Sequence, residues 1–176
     1  LVYLCRHYGL AEVAAYWEQV VTLNTWQQHR IARLVVNRLF GTVSGKRIGV
    51  LGFAFKADTN DTRESPAIRI CRDLLEEGAQ LAIVDPKVSE AQMARGLGHP
   101  AGRGDGSWQR VDAAVAAAAG ADALLLLTEW QQFAAIDWPA VAAVMRQPAW
   151  LFDARARADA GAARAVGLQV WTVGEG

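Results

Sequence analysis

Cysteine is scarce in this chain: Cys5 and Cys71 are the only two among 176 residues. Two thiols cannot build a disulfide scaffold, so the fold must rest on an apolar core. A charge bias is missing too. Eighteen Lys and Arg balance eighteen Asp and Glu, and a net charge of zero gives no general pull toward nucleic acid or a membrane surface. No apolar run approaches the roughly 18 residues of a spanning helix, so no membrane segment is expected. His7, His29 and His99 lack a metal-ligand spacing such as H-x-x-x-H, and no metal site is expected. The amino terminus lacks an initiator Met and a basic leader region, and a start in mid-pattern suggests a piece of a longer protein. What is present is apolar: 52% hydrophobic against 20% charged residues excludes a disordered tail. At ~100–200 residues per domain, the length fits one domain with an appendage.

The charge is uneven along the chain. Residues 1–47 carry Arg6, Arg30, Arg33, Arg38, Lys46 and Arg47 against only Glu12 and Glu18. Within this part, residues 10–41 read as one long helix. Val13, Trp17, Val20, Val21, Leu23, Ile31, Leu34, Val35 and Leu39 recur at helical spacing, nothing breaks the run, and Gly41 closes it. Such a helix is either packed in the core, or a connector or dimer seam whose Trp17, Leu23 and Trp26 need a partner. From position 46 onward, strands and helices alternate. Strands are expected at 47–52, 81–84, 123–127, 150–152 and 168–173. Helices are expected after Ser65-Pro66, at 89–95, 111–119, 137–145 and 158–166, with Ile68, Cys71, Leu74 and Leu75 facing the core in the first. The Gly-rich stretch 96–107 reads as a surface loop. The alternation predicts an α/β fold, a doubly wound parallel sheet preceded by a long α-helix. The expected division is 1–45 for the helical region and 46–176 for the α/β domain.

Open parallel sheets bind ligands beyond the carboxyl ends of their strands. The segments found there are 52–65, Asp85-Pro86-Lys87, Thr128-Glu129-Trp130 and Asp153-Ala154-Arg155. They offer aromatic faces, hydroxyls and the cations Lys56, Arg63 and Arg155, a set suited to a base or sugar bearing anionic oxygens. The first strand is not followed by G-x-G-x-x-G, so a dinucleotide fingerprint is absent here. Each candidate has a plainer alternative. Phe53 and Phe55 are equally candidates for the core, and Lys56 for a solvated surface lysine. Asp61, Arg63 and Glu64 suit a local ion-pair loop, and Asp153 a turn cap. Cys71 sits on an apolar helix face, and Cys5 has no activating base nearby, so both read as structural.

The run Gly52-Phe53-Ala54-Phe55-Lys56, then 58–66 (DTNDTRESP), then Asp85-Pro86-Lys87, Thr128-Glu129-Trp130 and Phe152-Asp153-Ala154-Arg155 closely resembles the UDP-glucose/GDP-mannose dehydrogenase family, and most nearly its UDP-glucose branch. The resemblance covers essentially the whole chain. It implies a Rossmann-like domain that closes over a UDP-sugar, preceded by part of a central helix that joins domains and builds a homo-oligomer. It further implies a cytoplasmic, NAD-dependent UDP-glucose 6-dehydrogenase. In that enzyme NAD is bound mainly by a separate amino-terminal domain, and the catalytic Cys lies outside this chain, so no catalytic residue is expected here and the chain alone is expected to be inactive. Residues matching Phe55, Lys56 and Arg155 contact the UDP-sugar, and the residue matching Arg63 reaches the cofactor. Ala154 departs from the usual Gly, and Ala156 from the usual Arg or Asn. The alternatives are a GDP-mannose or UDP-N-acetylmannosamine dehydrogenase, or a free-standing UDP-sugar-binding module.

Overall fold

Six parallel strands form a single sheet in the order β3-β2-β1-β4-β5-β6. The computed structural model describes residues 1–98 and 106–175. The strands are β1 Arg47–Leu51, β2 Gln80–Val84, β3 Ser107–Arg110, β4 Ala123–Leu126, β5 Trp150–Asp153 and β6 Gln169–Thr172. Every neighbouring pair is parallel. The chain runs outward from β1 to β3, returns, and runs outward again from β4 to β6. The sheet therefore reverses direction between β1 and β4, as in a doubly wound Rossmann arrangement. The central strands are apolar throughout because helices cover both sheet faces: all of β4, and the last four residues of β1 and of β2, are buried.

The sequence expectation of five strands was one short. β3 begins at Ser107, inside the stretch expected to be a loop. Only Trp108 of this edge strand is buried, so a polar edge segment carries no apolar run to announce it. The rest of that expected loop, and His99, lie mostly outside the described residues.

Two helices precede the sheet, α1 Val2–His7 and α2 Ala11–Arg38. At 28 residues, α2 is a rod of about 42 Å. Its two ends lie in different surroundings. Ile31, Ala32 and Val35 are buried against the domain, whereas Val13, Trp17, Val20, Val21, Leu23 and Trp26 are exposed. A His29 Nδ1–Asp73 Oδ2 contact of 2.6 Å ties the docked end to α3, Pro66–Glu76. Its terminus differs from expectation in one respect. The Gly41 N–H closes on the Val36 carbonyl with Gly41 left-handed at φ 80°, but Phe40 before it is left-handed as well, at φ 65°.

Helix α3 starts as expected. Ser65 accepts a hydrogen bond from the Ala67 N–H, and Pro66 occupies the first turn. Its buried face is rotated from the one expected: Ala67, Ile70, Cys71 and Leu74 are buried, while Ile68 and Leu75 lie at the margin. The remaining α-helices are α4 Glu90–Leu97, α5 Ala114–Ala118, α6 Trp138–Val144 and α7 Ala160–Ala165, with a 3-10 turn at Gln131–Ala135. Ser89 and Gln92 form a reciprocal capping box on α4, and Asp137 and Asp159 cap α6 and α7. Among the described residues, no helix is long and apolar enough to cross a membrane.

Leu125 lies fully buried in the central strand β4. Leu125→Ala should lower unfolding stability by about 2–5 kcal/mol, read from the urea midpoint at constant slope.

Candidate functional site

The carboxyl ends of β1, β2, β4 and β5 carry all the segments singled out from the sequence. The segment after β1 turns back sharply. Gly52, at φ 94°, donates its N–H to the Val84 carbonyl at 2.8 Å. A Cβ at Gly52 would collide with Thr128, whose Oγ1 lies 2.7 Å from that point. Thr128 Oγ1 also donates to the Ala54 carbonyl at 2.8 Å. The switch-point crevice between β1 and β4 is thereby filled by backbone and side chain.

Asp85 holds the same turn from the other side. It is 1% exposed. Its Oδ2 accepts from the N–H groups of Phe53 (2.7 Å) and Ala54 (2.9 Å) and from Trp130 Nε1 (3.1 Å). Its Oδ1 accepts from the N–H groups of Lys87 and Val88, both at 2.9 Å. Five donors satisfy a buried carboxylate that would otherwise be costly to desolvate. They also join the ends of β1, β2 and β4 at one point.

Phe53 is fully buried, so of its two readings the core one holds. Phe55 and Lys56 emerge beyond it, and Phe55 is 45% exposed. The Phe55 N–H donates to the Asp61 carbonyl at 2.8 Å, which closes the 55–61 loop on itself. Arg63 lies farther out, 87% exposed in its side chain, and grips Asp61 through Nε and Nη2. The side-chain hydrogen bond from Arg63, then the one from its backbone N–H, hold the Asp61 carboxyl down at about 2. The ion-pair-loop reading of Asp61 and Arg63 is therefore correct as far as it goes. It leaves the guanidinium at the surface, where an anion can meet it.

Asp153 ends β5 as Asp85 ends β2. It is wholly buried; Oδ1 accepts from the Arg155 N–H, and Oδ2 from the N–H groups of Arg157 and Ala158. This turn cap orients Arg155. Arg155 Nε donates to the Leu127 carbonyl at 2.8 Å and stands 3.5 Å from Glu129 Oε2. Arg155 also lines a cleft of about 220 Å³ with Gln28 and Ile31 of α2, Pro66 and Ile70 of α3, and Leu127. Lys56 and Phe55 are not in that cleft. Of the two departures from the family pattern, Ala154 sits in ordinary backbone, its N–H bonded to the Leu126 carbonyl at 3.1 Å. Ala156 takes the strained position, at φ 49°, where Asn is better tolerated.

The turn after β1 has no room for a dinucleotide. Its Gly52, Phe53 and Ala54 N–H groups, which would face a pyrophosphate, are bonded to Val84 and Asp85. Among the described residues, no group of three or more His, Cys, Asp or Glu is placed to hold a metal. Cys71 is buried, and burial pushes its thiol well above the ordinary range, which makes it inert. The sequence singled out Glu129 only as part of the Thr128-Glu129-Trp130 segment and gave it no role of its own, and Gln28 on α2 carried no signal at all.

Removing the Asp85 carboxylate strands five donors, so Asp85→Ala should destabilise the chain by about 3 kcal/mol or more in urea titration. The Asp61–Arg63 pair should hold above the ordinary Asp value of 3.8 and open as pH falls through about 2. An NMR titration of Asp61 should show that low midpoint, and Arg63→Ala should return it toward 3.8.

Comparison with known proteins accounts for the arrangement. The family model described as "UDP-glucose/GDP-mannose dehydrogenase family, UDP binding domain" matches residues 49–160, which hold every one of these strand-end segments. UDP-glucose 6-dehydrogenase 2 of Oryza sativa subsp. japonica is 42% identical over 192 residues, covering 99% of this chain and 39% of that protein. UDP-glucose 6-dehydrogenase of Drosophila melanogaster is 42% identical over 182 residues, covering 99% of this chain and 38% of that protein. The chain thus spans about two fifths of the length of these relatives. Among solved structures, the UDP-glucose dehydrogenase of the hyperthermophilic archaeon Pyrobaculum islandicum superposes with a TM-score of 0.72 at 25% identity, over 96% of this chain and 35% of that one. The NDP-N-acetyl-D-galactosaminuronic acid dehydrogenase of Methanosarcina mazei Go1 shares the fold, with a TM-score of 0.71 at 18% identity, over 93% of this chain and 32% of that one. The chain belongs to the UDP-glucose/GDP-mannose dehydrogenase family and carries its UDP binding domain.

Proposed function

We propose that this chain forms one wall of the substrate site of a cytoplasmic, NAD-dependent UDP-glucose 6-dehydrogenase, which oxidises the C6 alcohol of UDP-glucose to a carboxylate with two NAD. The observation that carries the reading is the strand-end geometry. Buried Asp85 and Asp153 hold two turns so that Phe55 and Lys56 from one, and Arg155 from the other, emerge at the carboxyl edge of the sheet. An aromatic face and two cations there suit a uracil or sugar ring and a diphosphate. Residues 46–176 act as the UDP-sugar domain. Residues 1–45 act as part of a connector, whose exposed Trp17, Leu23 and Trp26 meet a second copy of the enzyme.

The chain's own switch-point turn does not fit NAD, so the cofactor belongs to an amino-terminal domain outside this chain, with Arg63 reaching toward it. The chain's residues bind and orient the sugar nucleotide. No catalytic role is assigned to them, and the chain alone is inactive.

Calorimetry should detect weak binding of UDP to this chain, reduced by Lys56→Ala and by Arg155→Ala. In the full-length enzyme, Lys56→Ala should raise KM for UDP-glucose or lower kcat by tenfold or more. Unchanged kinetics would return Lys56 to the solvated surface, and turnover of GDP-mannose or UDP-N-acetylmannosamine in place of UDP-glucose would overturn the substrate.

A further inference from the structure

We infer that Glu129 is a positioning residue that locks the Phe55–Lys56 segment and Arg155 into one binding surface. The inference rests on the function proposed above.

Thr128 and Glu129 follow β4 directly, and between them they bracket the Phe55–Lys56 dipeptide. Thr128 Oγ1 donates to the Ala54 carbonyl at 2.8 Å, on one side of it. Glu129 Oε1 accepts from the Ala57 N–H at 3.4 Å, on the other. Two contacts from adjacent residues fix both feet of an arch whose crown is exposed.

The second oxygen of the same carboxylate faces the other cation. Glu129 Oε2 is shut off from solvent, makes no hydrogen bond, and has Arg155 Nε 3.5 Å away. Arg155 Nε is already committed to the Leu127 carbonyl at 2.8 Å. The inner edge of the guanidinium is thus turned to the protein by a carbonyl and a carboxylate. Its two terminal nitrogens have no protein partner among the described residues, and this is the fork that grips a phosphate or carboxylate.

Charge alone argues for the opposite of what is seen. A carboxylate beside a site for a diphosphate repels the ligand and weakens the Arg155 field. Its presence at the junction of the two segments is intelligible if the geometry it imposes outweighs that repulsion. Removing it then frees both cations to wander, which costs binding rather than chemistry.

The test uses the full-length enzyme, with kcat, KM for UDP-glucose and melting temperature measured for each variant. Glu129→Ala should raise KM fivefold or more while kcat stays within twofold. Glu129→Gln keeps an acceptor for the Ala57 N–H and should recover at least half of that loss on a logarithmic scale. It also serves if the alanine variant fails to fold. In an Arg155→Ala background, Glu129→Ala should raise KM by a clearly smaller factor than in wild type, because only the Phe55–Lys56 segment is then left for it to position. A KM within twofold of wild type for Glu129→Ala overturns the proposal, as does a fall in kcat at constant KM. Equal losses with and without Arg155 also overturn it, since they indicate general damage to the fold. If wild type does not turn over UDP-glucose, or Lys56→Ala and Arg155→Ala leave it unaffected, the underlying function fails and this inference with it. An active wild type, impaired by those two variants and indifferent to Glu129→Ala, isolates the failure to Glu129.

Discussion

Five N–H groups from three strand ends meet at the Asp85 carboxylate, in a place that water does not reach. Neither an amide nor an apolar side chain meets that demand. Asn offers one oxygen and turns two donors of its own toward donors, and an apolar side chain leaves five dipoles unpaired. Because Asp85 ends β2, the demand is local in sequence for Lys87 and Val88. It is long-range for Phe53, Ala54 and Trp130. The start of the loop that carries Phe55 and Lys56 is therefore held by a residue buried beneath it.

The same device recurs at β5, where Asp153 collects three N–H groups and aims Arg155. Both aspartates work from strand ends, where the parallel ladder stops and backbone N–H groups lose their partners. Between them, Gly52 and Thr128 fill the crevice in which a Rossmann sheet ordinarily seats a pyrophosphate. One topology thus supports a different use. The rim carrying Phe55 and Lys56 stays exposed, while the switch point itself becomes packing.

Much of this was legible in the residues. The alternation of apolar runs with Ser65-Pro66, Ser89 and Asp137 placed five strands and most helices, because buried parallel strands and capped helices have strong local signatures. β3 was missed because an edge strand needs only one buried residue, Trp108. The face of α3 was misjudged because amphipathic spacing locates a stripe only to within a residue or so, and the tertiary packing decides: Ile70 is buried and Ile68 lies at the margin. Motif resemblance carried Phe55, Lys56, Arg63 and Arg155 to the rim. It gave no hint of Glu129 as the link between them, because that link depends on two loops 72 and 26 positions away folding against one carboxylate.

Helix α2 leaves the domain with one end docked and the other bare. Gln28 and Ile31 form part of the wall of the cleft that holds Arg155, while Trp17 and Val20 stand in solvent along the same rod. A helix is stiff over this length, so the two ends cannot turn independently. A tilt of a few degrees at the docked third sweeps the aromatic end through about an ångström or two, and widens or narrows the cleft by a fraction of that. The helix is in this sense a lever with its fulcrum at Ala32 and Val35. The opening of the cleft and the direction in which the exposed indoles point are two readings of a single angle.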